Sequence, residues 1–322
     1  MDNALTRLLE GRTVPIFNAS MAGAAGARLA SAVSAAGAIG MLGVPSAPEL
    51  GTLDQAAAEL EEQGAVWGAG FLSFALERDL TPLTRVLSHH PHVISLGFGE
   101  SRAALDAVRD AGAVALAQVG NVDELHSAMM AGVDGIIVRG SEGGGHGRNE
   151  LSTLTLLQIA LDETDIPIIA AGGITTSRGL AAVMAAGARG AWIGTRFASA
   201  IESDFQEAAK KRLVSAEPGD TVYTRTFDIA QRAGWPPYYG GRALVNDFAE
   251  NWHGREDELQ KALESNETMT TDMLAARKDG RFDTAPIYAG EGSALIHTIE
   301  SATDIIADLT RYREHLTAAK QL

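Results

Sequence analysis

Ile166-Pro167-Ile168-Ile169-Ala170-Ala171-Gly172-Gly173-Ile174, followed by Ser177–Ala186, Gly187 and then Ala191-Trp192-Ile193-Gly194-Thr195-Arg196, decides the fold of this chain. An apolar run ends in two glycines. An alanine-rich helical stretch follows, closes on Ala-Gly, and leads into a second apolar run that again ends in glycine. The strands are apolar throughout rather than alternating, as parallel strands covered on both faces are. Glycine just past each helix takes the left-handed cap.

Working outward, the same unit recurs. Strands are expected near Val14-Ile16-Phe17, Ala38-Ile39-Met41, Ala65-Val66-Trp67, Val93-Ile94-Leu96, Val114-Ala115-Leu116 and Gly135-Ile136-Ile137-Val138, besides the two above. Helices are expected over Leu53–Gln63, Ser101–Ala111, Val122–Ala131 and Ser177–Ala186. Eight strand–helix units within about the first 200 residues predict an α/β chain folded as a closed (β/α)8 TIM barrel. A doubly wound open sheet is the runner-up, but the first strand–helix turn lacks its glycine fingerprint. The nearest match, Gly97-Phe98-Gly99-Glu100-Ser101-Arg102, follows the fourth strand and ends in arginine.

Beyond Glu202 the composition changes. Residues 217–255 gather Trp235, Pro236, Pro237, Tyr238, Tyr239 and Trp252 and read as an excursion over the barrel mouth. Residues 256–280 read as charged helix, and Asp304–Leu316 as one closing helix on the barrel. The expected division is a barrel over 1–202, a smaller, mainly helical lid over 203–290, and a returning segment over 291–322.

A chain of 322 residues with 46% hydrophobic and 21% charged residues can bury a large core. The net charge of −15 argues against nucleic acid as partner. No apolar run approaches the ~20 residues of a membrane span. The stretch from Met1 to Arg7 carries no basic-then-apolar leader, so a cytoplasmic location is expected. The absence of cysteine excludes disulfides, thiolate metal sites and cysteine nucleophiles.

In such a barrel the chemistry belongs at the C-terminal ends of the strands. Met21 and Gly23 follow the first strand, Gly70 the third, and Gln118 ends the fifth. Gly140-Ser141-Glu142-Gly143-Gly144-Gly145-His146-Gly147 follows the sixth, with five glycines in eight residues. Such a turn lets backbone approach a flat ligand, and its one imidazole can exchange protons near neutral pH. Glu142 reads as solvated, with orientation of neighbouring backbone as the alternative. The turns Ala171-Gly172-Gly173 and Gly194-Thr195 follow the last two strands, where this fold cradles phosphate with backbone N–H groups. His89, His90 and His92 precede the fourth strand and so fall on the opposite face. His126 falls within a helix and reads as surface, and His253, His297 and His315 have no ligand-spaced partner, so no metal is expected.

These residues resemble the nitronate monooxygenase (2-nitropropane dioxygenase) family of FMN-dependent TIM barrels. The similarity is densest at Pro15–Gly23, Gly68-Ala69-Gly70-Phe71-Leu72, Gln118-Val119-Gly120, Gly132–Gly135, the glycine–histidine turn, Ile166–Ile174 and Gly194-Thr195-Arg196-Phe197. The resemblance implies that Ala19, Ser20 and Met21 pass under the isoalloxazine ring, with Gly70 and Gln118 near its polar edge and Gly145 beside it. Ala171, Gly172, Gly173, Gly194 and Thr195 would hold the FMN phosphate, and His146 would be the catalytic base. Two positions depart from the family pattern. Arg139 stands where many members have glutamine; turned inward it would place a cation at the cofactor, turned outward it would pair with an acid. Gly70 stands where other subgroups place asparagine, removing a hydrogen bond to the flavin.

The activity implied is oxidation of an alkyl nitronate or its parent nitroalkane by O2 to a carbonyl compound and nitrite. Trp235, Pro236 and Tyr238 would wall the substrate pocket, unless they only pack or meet a second copy; the resemblance allows a homodimer. The rival reading is an FMN-dependent NAD(P)H oxidoreductase acting on quinones or enoyl thioesters, and a non-catalytic flavin or phosphate sensor is the third. The IMP dehydrogenase type of barrel shares the phosphate turns but needs a cysteine this chain lacks.

Overall fold

A computed structural model of the chain describes residues 3–266 and 268–320. Met1 and Asp2, and Glu267 within the stretch expected to be helical, lie outside the described residues. Eleven strands occur among the described residues: β1 (Ile16–Asn18), β2 (Gly40–Gly43), β3 (Trp67–Leu72), β4 (Val93–Gly97), β5 (Val114–Val119), β6 (Gly135–Arg139), β7 (Gly145–Gly147), β8 (Ile168–Ala171), β9 (Gly190–Ile193), β10 (Thr221–Thr224) and β11 (Gly240–Leu244). Eight form one parallel sheet in the order β1-β9-β8-β6-β5-β4-β3-β2. A bridge from Phe17 to Ile39 brings its two edges together as a nearly closed TIM barrel. Where the β1–β2 backbone ladder fails, the buried Asn18 amide replaces it: Nδ2 donates to Met41 O at 2.9 Å, and Oδ1 accepts from Met41 N at 2.8 Å.

Alternation within each strand divides the core in two. Phe17, Val93, Leu116, Ile137, Ile169 and Trp192 point inward, and Leu5 and Leu9 of the first helix plug the base. Their chain neighbours, such as Ile136, Val138, Ile168 and Ala170, point outward into the layer shared with the helices. Both faces of the barrel strands are therefore mainly apolar, and that produced the continuous runs in the sequence.

The third strand runs over 67–72 instead of 65–67. Gly70, expected to follow the strand, is a strand position, as is Gly68, and packing forbids a side chain at either; a Cβ at Gly68 would lie 2.1 Å from Val93 O. The closing segment is two helices, Ala302–Thr310 and Tyr312–Ala319, rather than one. The excursion holds helices Glu207–Val214, Thr226–Gln231, Asp247–Trp252, Glu256–Ser265 and Thr268–Asp279. It also holds β10 and β11, which pair antiparallel and take β7 as third strand. That small sheet was not foreseen: β7 is glycine-rich, and β10 and β11 lie 70 to 100 residues further along the chain. No described helix is long and apolar enough to cross a membrane.

Candidate active site

The alternation that fills the barrel also builds the site. Two residues beyond inward-facing Phe17, Leu116, Ile137, Ile169 and Trp192 stand Ala19, Gln118, Arg139, Ala171 and Gly194. All five line a cavity of about 830 Å³ at the C-terminal ends of the strands. Ser20, Met21, Gly70, Gly145, His146, Gly172, Gly173 and Thr195 line it too.

At the end formed after β8 and β9, Gly172 and Gly173 adopt φ +110° and +65°, which glycine tolerates and other residues rarely do. Among the described residues no backbone or side-chain acceptor takes the N–H groups of Gly172, Gly173, Gly194 or Thr195. The Thr195 hydroxyl accepts from Gly290 N at 3.0 Å, leaving its own O–H free to donate. The Thr175 hydroxyl, which also borders the cavity, is buried without a partner. This is the donor set of an anion cradle. The residues fit the phosphate of a flavin mononucleotide.

Arg139 borders the cavity, as the inward alternative has it, but its guanidinium is spent on the glycine turn. Its guanidinium neither reaches for an acid nor stands free toward the cavity; it donates to the carbonyls of Gly143, Gly145 (2.9 Å) and Gly144 (3.2 Å), and to Arg148 O at 3.3 Å. Burial pulls its pKa down to about 10. The cation is thus the internal frame of the glycine turn, supplying donors that the turn's own backbone cannot. Glu142 is likewise not a solvated side chain. Its carboxylate accepts from Thr153 N at 2.9 Å and from the Thr153 hydroxyl at 2.9 Å, tying the turn to the helix Thr153–Glu163.

Held this way, β7 lies along β11 with His146 opposite Gly241. The His146 Nε2 is 2.8 Å from Asp228 Oδ1, both side chains being about nine-tenths buried. Tyr288 donates its hydroxyl to the same Oδ1 at 3.3 Å, and its ring lies 5.1 Å from the imidazole. Burial, then the Asp228 carboxylate, pushes the Tyr288 pKa well above its ordinary value, so it remains a donor. Trp235 stacks on the imidazole, centroids 3.7 Å apart and planes 6° from parallel. Edge-on contacts with Phe74 and Phe98 hold that indole in turn. The Gly97-Phe98-Gly99 segment therefore supports the aromatic wall.

Two pocket expectations need correction. Pro236 and Tyr238 do not line the cavity: the Tyr238 ring is half-exposed, against Tyr239 and under the Arg148 guanidinium. Asp228 and Tyr288 were missed, because they lie 82 and 142 positions beyond His146 and carry no motif of their own. His89 and His90 bind Glu61, and His89 also Asp54, on the opposite face. Among the described residues no group of three or more such side chains is arranged to hold a metal ion.

The nitronate monooxygenase npaC of Metarhizium robertsii is 31% identical over 202 residues, covering 59% of this chain and 56% of that enzyme. The chain thus spans little more than half the length of that curated relative. The FabK structure from Thermotoga maritima superposes with a TM-score of 0.82 at 27% identity, covering 100% of this chain and 99% of the other. The nitroalkane oxidase from Streptomyces ansochromogenes gives 0.79 at 25%, covering 98% and 99%. The nitronate monooxygenase family pattern matches residues 51–312. With that match over most of its length, the chain belongs to the nitronate monooxygenase family.

Proposed function

We propose that this chain binds FMN and oxidises alkyl nitronates, or their parent nitroalkanes, with O2 to a carbonyl compound and nitrite. The observation that carries the reading is one largely buried imidazole, His146, walling a cavity whose other end offers unpartnered N–H groups to a phosphate. Bound FMN would supply the electron acceptor that no side chain here can provide.

The chain's own residues do the rest. Backbone N–H groups of Gly172, Gly173, Gly194 and Thr195 hold the phosphate. Gly145, whose added Cβ would meet nothing within 4 Å, leaves open space for a flat ring. Trp235 and Tyr288 keep water from the imidazole. With a neutral nitroalkane, His146 takes the α-proton; the C–H electron pair moves onto the nitro group and the nitronate forms in place. With a nitronate supplied, there is no α-proton to take and His146 is not needed as a base.

The test is aerobic turnover followed by nitrite release and O2 uptake. His146→Ala should cut nitroalkane turnover by roughly 10²-fold or more, with a smaller loss on the matching nitronate. A wild-type protein that releases no nitrite from either substrate would sink the proposal. A second reading, an NAD(P)H-dependent reductase of quinones or enoyl thioesters, is favoured by Arg277 and Lys278, whose positive charge borders the cavity where an anionic dinucleotide could enter. It fits the similarity to FabK.

A further inference from the structure

We infer that Asp228 is a positioning residue that fixes the tautomer of His146, so that Nδ1 is the atom that receives the substrate's α-proton. This rests on the nitroalkane reading above. Asp228 Oδ1 stands 2.8 Å from His146 Nε2 and also accepts from the Tyr288 hydroxyl. A carboxylate can only accept, so the hydrogen between Asp228 and the imidazole belongs to Nε2. A neutral imidazole carries one hydrogen, and with it on Nε2 the lone pair is left on Nδ1. Among the described residues Nδ1 has no hydrogen-bond partner, and the residue faces the cavity.

The ring cannot easily exchange the two nitrogens. Turning it over would break the Asp228 contact, and Trp235 lies flat against one face at 3.7 Å. Gly241 completes the enclosure: a Cβ there would lie 2.7 Å from Tyr288 Cε1 and 3.5 Å from His146 Nε2, so only glycine leaves the pair undisturbed. Once Nδ1 takes the proton, the imidazolium forms against the Asp228 carboxylate, which stabilises it without itself accepting a proton. The α-proton moves to Nδ1, the Nε2 proton stays where it is, and the electron pair remains on the nitronate.

The experiment uses flavin-loaded protein labelled with ¹⁵N-histidine, with His146→Ala identifying the His146 signals among the eight histidines. At a pH where the ring is neutral, we expect a protonated Nε2 and a bare Nδ1; the opposite tautomer would overturn the assignment. The second arm is Asp228→Asn, whose amide can donate to Nε2 and so shift the ring hydrogen to Nδ1. Anaerobic flavin reduction by a neutral nitroalkane should then fall by roughly 10²-fold or more. The fall should be at least ten times larger than that seen with the preformed nitronate. Equal losses with both substrates, or no loss, would overturn the inference. If Asp228→Asn does not retain flavin, the wild-type tautomer decides alone. If neither compound reduces the wild-type flavin, the nitronate reading fails while the tautomer is still determined.

Discussion

A Cβ built on Gly70 lands 1.9 Å from Ser20 Oγ and 2.4 Å from Ser20 Cβ, with Ser95 Oγ at 2.7 Å. Because Ser20 Cβ is fixed to the backbone, rotation of the hydroxyl cannot relieve the contact. The glycine that departs from the family pattern is thus set by its neighbours: two serine hydroxyls already fill the volume of a side chain. Gly70→Ala should cost about 1–3 kcal/mol in chemical denaturation and weaken flavin binding. Adding Ser20→Gly should recover most of both losses, and no recovery would show that the strain lies elsewhere. Arg139 teaches a related lesson. Its position just before the glycine turn was legible in the sequence, but the destination of its guanidinium was not. Carbonyl acceptors, unlike acids, are present at every residue and leave no sequence signal.

Elements on the stability face of the barrel offer a pH-dependent check. His89 joins the helix Leu50–Glu62 to the segment after Thr81–Leu87 through Glu61 at 3.0 Å and Asp54 at 3.2 Å. Burial of the ring works against its charge, but the two carboxylates outweigh it and raise its pKa. A pKa raised on folding means that the stabilisation is complete below the unfolded value of about 6.5 and is lost as pH rises through the folded value. For so exposed a pair of carboxylates the effect should stay under about 1 kcal/mol. His89→Ala should therefore destabilise the protein in urea more at pH 6 than at pH 9; the reverse order would contradict the pairing. Elsewhere, helix limits were readable because the caps are local. Val122–Ala131 and Ser177–Ala186 match the expected spans, closed by Gly132 at φ +70° and Gly187 at +115°. The β7–β11 pairing was not readable, since glycine-rich strands carry no hydrophobic period and their partners are distant in sequence.

Across the whole molecule, the barrel supplies the glycine turns after β8 and β9, and the excursion supplies what surrounds His146. Those turns stand at fixed positions after β8 and β9, so their place at the cavity was legible in the sequence. Asp228, Trp235, Gly241 and Tyr288 all come from 203–290 and reach His146 only through folding, so the histidine was legible in the sequence while its surroundings were not. The division of labour also locates specificity: barrel residues would hold the cofactor, and excursion residues would hold the ring that meets the substrate. The most direct measurement is anaerobic mixing of the flavin-loaded protein with an alkyl nitronate and, separately, with NADH, followed by visible absorbance. We expect bleaching of the flavin by the nitronate and none by NADH within the same time; bleaching by NADH with no response to nitronate would contradict the proposed function.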